Sequence, residues 1–386
     1  MQARAYARNK HSNAQMPHTR GKYLLSIYCG NGNASQGRAR TRKRLLSVGE
    51  QGEAREGSML SGNESVVVTP RRVRIDERAT RAVEQKLVRL ALLTGEEENQ
   101  ELYSPSDLII GTAPNAEAFS RWASGNRKFL CDFIGGKIIA RELPHNPHGQ
   151  AQLKVGVAFD AQASGLLVVA TAVTYKPDIG GDLYEPDVTV QVRGQSSILP
   201  PGVAALRTYG AIVIEIATSQ TPKNLHERAA IFLGPDYPRC ELYIGLKRFN
   251  ERANGTIAML ASVYERPGAG GGAAGAGGGA AGAGAGAGGG GPMPIRLVSF
   301  GTCPLGPNAT WRNSPILTGV GHGGIALNGP GVRPYILRFP AVQIFTTFVP
   351  PGGGAVGVPP AGAPVNYELD LYYIQQAFSC PFEPTY

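Results

Sequence analysis

Residues 1–49 contain no aspartate or glutamate. Ten lysines and arginines fall in that stretch, so it carries +10, while the other 337 residues set 28 basic against 29 acidic side chains and carry −1. The formal net charge of +9 is therefore a property of one end of the chain. It does not describe a uniformly basic, nucleic-acid-binding surface. Long apolar runs are missing too. The longest uncharged one, near Gly165–Tyr175, spans about eleven residues, whereas a membrane-spanning helix needs about 20. The five cysteines, Cys29, Cys131, Cys240, Cys303 and Cys380, are odd in number, far apart and without a Cys-x-x-Cys. That argues against a disulfide framework or a zinc site and points to a reducing, intracellular setting.

Glycine is plentiful. Gly 52 with Pro 29 makes about a fifth of the chain, which excludes a helical bundle or collagen and predicts many turns. Residues 1–75 read as a disordered basic arm, polar and without a sustained apolar period. The run Arg38-Ala-Arg-Thr-Arg-Lys-Arg44 suits a nuclear-localisation or nucleic-acid tail. The Arg- and Ser-rich, acid-free start suits an organelle transit peptide, and a merely solvated tail has the same composition. Residues 76–267 read as a folded core. Gly268–Gly291 holds only 15 Gly and 9 Ala, a coil spanning roughly 27 Å root-mean-square, and so a domain linker or, preferably, an expanded surface loop. Residues 292–386 read as β-rich and turn-rich, with apolar runs at Tyr335–Phe339, Gln343–Phe348 and Tyr367–Tyr373.

Within the core the spacing predicts a helix over Asp76–Leu93, capped by Asp76, and a second over Asn115–Ala123. A hairpin follows, Phe129–Ile134 and Lys137–Arg141 about Gly135-Gly136. Next comes a helix over Pro147–Gln162 with Leu153, Val157 and Ala158 inward. Strands are expected at Leu166–Thr174, Asp187–Val192 and Ala211–Ala217. A helix over Pro222–Leu233, with Thr221 as cap, leads to strands at Glu241–Leu246, Thr256–Tyr264 and Ile295–Phe300. The Gly319-Val-Gly-His-Gly-Gly324 run has no strand–helix frame and reads as a loop.

Two acids stand out. Glu215 interrupts the apolar strand Ile212-Val-Ile-Glu-Ile-Ala217, and Asp187 opens a strand after Tyr184-Glu-Pro. A buried carboxylate is costly unless it is paired, metal-bound or at an exposed strand end. Two on adjacent strands could make a hard oxygen site that holds magnesium or manganese, polarises a phosphoryl group and activates a water. Taken singly, each reads as readily as a surface or edge carboxylate. His145 and His148 read as solvated loop histidines among prolines, and Glu142 as a weaker additional acid.

The ordered set of segments resembles the PD-(D/E)XK nuclease superfamily, and within it the putative restriction endonuclease domain family. The segments are Phe133-Ile-Gly-Gly-Lys-Ile-Ile139, Pro144-His-Asn-Pro-His148 before a helix, Pro186-Asp187-Val-Thr-Val, Val213-Ile-Glu215-Ile-Ala-Thr-Ser219, the helix Asn224–Leu233, and Cys240-Glu-Leu-Tyr-Ile244. Together they span about residues 110–265. The resemblance implies an α/β fold, a restriction-endonuclease-like mixed sheet flanked by helices, with the C-terminal β-rich segment added. It implies a Mg2+- or Mn2+-dependent phosphodiesterase acting on nucleic acid, DNA above all. Asp187, Glu215 and the carbonyl of Ala217 would be its metal ligands. Members of this fold commonly dimerise to cut two strands, which makes a homodimer an expectation.

The pattern departs where the superfamily carries a lysine two residues after the glutamate, here Ala217. In the narrower family a helix lysine replaces it, and here that position is Arg228, with Lys223 one turn earlier. Arginine can stabilise a pentavalent phosphate but cannot serve as a base. Three functions therefore stand side by side: a metal-dependent nuclease using Asp187, Glu215 and Arg228 or Lys223; an inactive nuclease fold that binds nucleic acid or protein; and a β-rich interaction protein centred on the C-terminal part. A phosphate-binding groove on the near-neutral body would have to gather Lys223, Arg228, Lys247 and Arg248.

Overall fold

The computed structural model describes residues 72–92, 108–126, 128–143, 145–171, 182–193, 210–237, 239–267, 292–346, 348 and 357–381. The chain divides into two units, Met1–Val66 and Val67–Tyr386. Residues 1–71, the basic arm included, and the Gly/Ala tract lie outside the described residues. Within the described part of the second unit the fold is mixed α/β, with six α-helices, a mixed eight-stranded sheet, a four-stranded sheet and a two-stranded ribbon. No described helix is long and apolar enough to cross a membrane.

The four-stranded sheet comes first. It is formed by β1 (Arg74–Ile75), β2 (Ile109–Thr112), β3 (Leu130–Ile134) and β4 (Lys137–Glu142), in the order β1-β2-β4-β3. Helices α1 (Glu77–Leu92) and α2 (Ala116–Gly125) cover it. Each starts on a side-chain cap: Asp76 Oδ1 accepts from Ala79 N at 2.9 Å, and Asn115 Oδ1 from Ala118 N at 2.8 Å. The β3–β4 hairpin turns on Gly135 and Gly136 at φ 56° and 81°, the left-handed region that a primed turn requires. Alternation then sorts the strands. Cys131, Phe133, Ile138 and Ala140 join Val83, Leu87 and Phe119 in one core, while Asp132, Ile134, Ile139 and Arg141 line a cavity on the opposite face.

The large sheet runs β12-β11-β10-β9-β8-β7-β6-β5. Its strands are β5 (Leu167–Thr171), β6 (Val188–Val192), β7 (Ile212–Ala217), β8 (Leu242–Glu251), β9 (Ile257–Glu265), β10 (Arg296–Ser299), β11 (Leu317–Val320) and β12 (Gly323–Gly324). Strands β7 and β8 are parallel neighbours joined through α4 (Pro222–Phe232). Thr221 caps α4 in a reciprocal box with Asn224. Every residue of β7 is buried because both faces are covered. Ile212, Ile214 and Ile216 pack with Ala151, Val155 and Phe159 of α3 (Asn146–Asp160), and Val213 packs with Ala229 and Phe232 of α4.

The C-terminal elements belong to the same core. Strands β13 (Ile336–Pro340) and β14 (Asn366–Asp370) form the ribbon, with helices α5 (Ala341–Ile344) and α6 (Leu371–Phe378). Phe339, Tyr367 and Phe378 pack into the cluster that holds Phe159. The ends flanking the Gly/Ala tract, β9 and β10, are antiparallel neighbours with Arg296 opposite Val263.

Three local expectations are corrected. In α3 the inward stripe is Ala151, Val155 and Phe159, while Leu153 and Val157 are 39% and 48% exposed. Both sets have helical spacing, but only the first brings a large ring, Phe159, to stack on Phe339 at 6.2 Å between centroids. Gln343–Phe348 is not extended, since α5 occupies Ala341–Ile344. Tyr367–Tyr373 divides at Asp370, whose carboxylate accepts from Tyr372 N at 3.0 Å and so starts α6. The Gly319–Gly324 run contributes β11 and β12 rather than only a loop.

Helix α4 approaches the sheet closely where Gly245 of β8 lies beside Glu215 in register. A Cβ at Gly245 would meet Ser262 Oγ at 2.7 Å and Leu225 Cδ1 at 3.2 Å. Gly245→Ala should therefore cost about 1–3 kcal/mol through overpacking, read from urea denaturation; an unchanged midpoint would show that α4 has room to retreat.

Candidate functional site

The register places Asp187 directly across from Glu215, one step beyond the Val188–Ile214 pair that ends the β6–β7 ladder. Both carboxylates are fully buried, as the strand context of Glu215 demanded only if partners exist. The partners are cations. Arg228 on α4 grips Glu215 Oε1 with Nε at 2.9 Å and Nη2 at 2.6 Å. Arg141 on β4 donates from Nη1 to Glu215 Oε2 at 2.7 Å. Arg228 Nη1 also meets Asp132 Oδ2 at 2.5 Å, and Arg141 Nη2 donates to the Glu185 carbonyl. The four-stranded sheet and the eight-stranded sheet thus share one buried ion-pair network.

Asp187 faces a second group. Its Oδ2 accepts from Ile216 N at 2.6 Å, and its Oδ1 accepts from Gln152 Nε2 at 3.3 Å. His148 Nε2 stands 3.3 Å from the same Oδ1, and its Nδ1 stands 3.5 Å from Glu142 Oε1. Glu142 accepts from the Thr218 hydroxyl, from Thr218 N at 2.9 Å and from Gln220 Nε2 at 3.3 Å. His145 caps α3 and meets Thr218 Oγ1 at 2.5 Å. Lys247 of β8, in register with Ala217, donates from Nζ to Thr218 O at 2.6 Å.

Protonation follows from this packing. Burial alone would lower His148, but Asp187 and Glu142 on either side raise it to about 10, so it is an imidazolium at neutral pH. Burial likewise opposes ionisation of Glu142 and Asp187, yet His148 beside both holds them below their usual range. Burial pushes Glu215 up to about 7 against the pull of Arg141 and Arg228. Burial lowers His145, leaving it a neutral ring.

Sequence reasoning named Asp187, Glu215, Ala217, Arg228 and Lys223. The structure brings Asp187, Glu215 and Arg228 together, leaves Lys223 exposed on the first turn of α4, and sets Ala217 at the end of β7. His145 and His148 are not solvated; both are buried, because the helix they open packs against the sheet. Two partners went unnamed, Asp132 and Arg141. Asp132 interrupts the apolar run Phe129–Ile134 just as Glu215 interrupts its own, so a signal was present. Of the cations proposed for a groove, Arg228, Lys247 and Arg248 are buried, the last donating to Phe378 O at 2.8 Å.

The donor set fits a magnesium or manganese ion poorly. Both oxygens of Glu215 accept from guanidinium groups and both of Asp187 from protein N–H groups. Among the described residues no three His, Cys, Asp or Glu side chains are grouped to hold a metal. A divalent ion would have to displace fixed positive charges to gain the oxygen ligands it requires.

No family model matches the chain, and no curated protein matches it. Among solved structures the chain is similar to one described as a "putative nuclease belonging to DUF820" from Anabaena variabilis, with 14% identity, 40% of this chain and 86% of that chain covered, and a TM-score of 0.28.

The raised His148 gives a pH dependence with a defined sign. Its folded value, about 10, lies above the unfolded value near 6.5, so its stabilisation is complete below about pH 6.5 and is lost as pH rises towards 10. Between pH 7 and 9 the loss should approach roughly 2–3 kcal/mol. Chemical denaturation across that range should show the decline in the parent chain and a flatter profile in His148→Gln. Parallel profiles would mean that His148 is not the group that titrates.

Proposed function

We propose that this chain is a nuclease-like nucleic-acid-binding protein whose acidic centre is neutralised by its own cations and does not cut. The observation that carries this is the occupation of Asp187 and Glu215: each carboxylate oxygen accepts a hydrogen bond from the protein. The imidazolium of His148 lies between Glu142 and Asp187, and Arg141 and Arg228 lie between Glu215 and Asp132. Charge in the centre is thereby balanced without a further ion. A nucleic-acid partner is supported by the +10 arm, which would bind phosphates without sequence preference and with steep salt dependence.

A second reading, the metal-dependent nuclease, is favoured by one observation: Asp187 and Glu215 stand across from each other on adjacent strands. In that reading Arg228 would steady the phosphate and Lys223 would remain outside the chemistry.

The two readings separate cleanly. The full chain, incubated with plasmid and with single strands in the presence and absence of magnesium and of manganese, should leave both substrates intact, and calorimetry should record no heat of magnesium binding. Metal-dependent nicking that disappears in Asp187→Asn and in Glu215→Gln would overturn the first reading and establish the second. Stability offers a further check. Arg228→Met strands Glu215 and Asp132 and should cost about 3–5 kcal/mol, seen as a large drop in the denaturation midpoint; a loss under about 1 kcal/mol would show that the pair is not structural.

A further inference from the structure

A cavity of about 130 Å³ opens beside the ion-pair network, between the β3–β4 face and α4. Its walls are Ile134, Ile139, Ile231 and the Tyr184 ring, and Arg141 and Asp132 stand at its inner end. Ile134, Ile139 and Ile231 are only half-buried and Glu227 on the rim is exposed, so the cavity is reached from solvent. Arg141 is 6% exposed, and its Nε–H has no hydrogen-bond acceptor. The nearest carboxylate oxygen, Asp132 Oδ1, lies 3.5 Å away. A buried guanidinium N–H without an acceptor costs stability that a correctly placed ligand oxygen would recover.

These features select an occupant. A cavity of about 150 Å³ lined by aliphatic and aromatic side chains takes up one benzene ring, so the space here suits a single six-membered ring and not a fused pair. Aliphatic walls and one aromatic face favour a flat, weakly polar body. The free N–H at the inner end calls for a carbonyl oxygen on that body. Asp132 and Glu227 repel an anion, and the remaining Arg141 donors already serve Glu215 and the Glu185 carbonyl, so a phosphate is disfavoured. We infer that the cavity receives one pyrimidine base turned out of a single strand, its ring between Ile139 and Ile231 and a ring carbonyl accepting from Arg141 Nε. Single-stranded nucleic acid is read in this manner, by splayed bases stacked on side chains and hydrogen-bonded at their edges. The inference rests on the nucleic-acid-binding reading above and extends it to a base class.

The test uses the full chain with fluorescein-labelled twelve-mers: dT12, dA12 and an abasic strand of equal length, read by anisotropy at one fixed salt concentration. The expected result is dT12 bound about tenfold more tightly than the abasic strand, the scale of one stacked base, with dA12 close to the abasic strand. Ile139→Phe, which fills the cavity, should bring dT12 down to the abasic level while the abasic affinity stays unchanged. Ile231→Phe fills it from the helix side, so a folded variant remains if the first fails to fold. Equal binding of dT12 and the abasic strand, or a preference that survives both filled cavities, overturns the pyrimidine pocket while leaving nucleic-acid binding in place. If none of the three strands binds, the nucleic-acid reading itself fails, and calorimetry with uridine alone then decides the pocket: no heat of binding, or binding retained in Ile139→Phe, overturns it.

Discussion

The contact on which the fold depends is the one between Glu215 and two arginines from different parts of the chain. Glu215 projects from the middle of a strand buried on both faces, where an unpaired carboxylate would be untenable. Arg228 reaches it from the helix that links β7 to β8, and Arg141 reaches it from the four-stranded sheet. Asp132 closes the cluster by binding Arg228. The N-terminal sheet is therefore fastened to the main sheet by charge as well as by the Phe133–Leu183 bridge. A buried pair of this kind is not an efficient source of stability, since desolvation offsets much of the attraction. What it supplies is position: neither sheet can slide without stranding a charge.

The same logic explains why the chemistry suggested by the acids does not follow simply from their placement. Carboxylates at adjacent strand positions are a prerequisite for a hard-metal site, but a metal also needs oxygens with free lone pairs. In this chain the space around those oxygens is taken by groups that carry positive charge permanently or, for His148, up to about pH 10. Arginine at position 228 matters more than the loss of one basic group. Its planar fork makes two hydrogen bonds to one oxygen of Glu215, a grip that a lysine at the same point could not make.

Much of the fold could be read from the sequence because its signals are local. Helix caps at Asp76, Asn115 and Thr221, the Gly135-Gly136 turn and the apolar alternation of β7 each depend on a few adjacent residues, and each stands in the structure. The oddity of Glu215 was legible for the same reason. What could not be read was the identity of its partners, because Arg141 lies 74 positions away in sequence and nothing local marks a residue as half of a distant pair. The histidines failed differently. Prolines around His145 and His148 suggested a loop, yet Pro147 sits in the first turn of α3, where a missing N–H costs nothing, and the helix carried both rings inward. In α3 two apolar stripes had equal periodicity, and only the tertiary neighbour Phe339 decided between them.

The antiparallel pairing of β9 with β10 has a consequence for how this chain can change over generations. Both strands are held by their own ladder, Arg296 to Val263 through Ser299 to Leu260, and the 24-residue Gly/Ala stretch merely joins two ends that are already neighbours. Closing such a connection costs only about 0.6 kcal/mol for each doubling of its length. Repeat expansion or contraction in that segment is therefore nearly neutral for the sheet, and a gene encoding this protein can gain or lose alanine and glycine codons there with little selection against it, while a single inserted residue within β9 or β10 would turn a buried row of side chains outward.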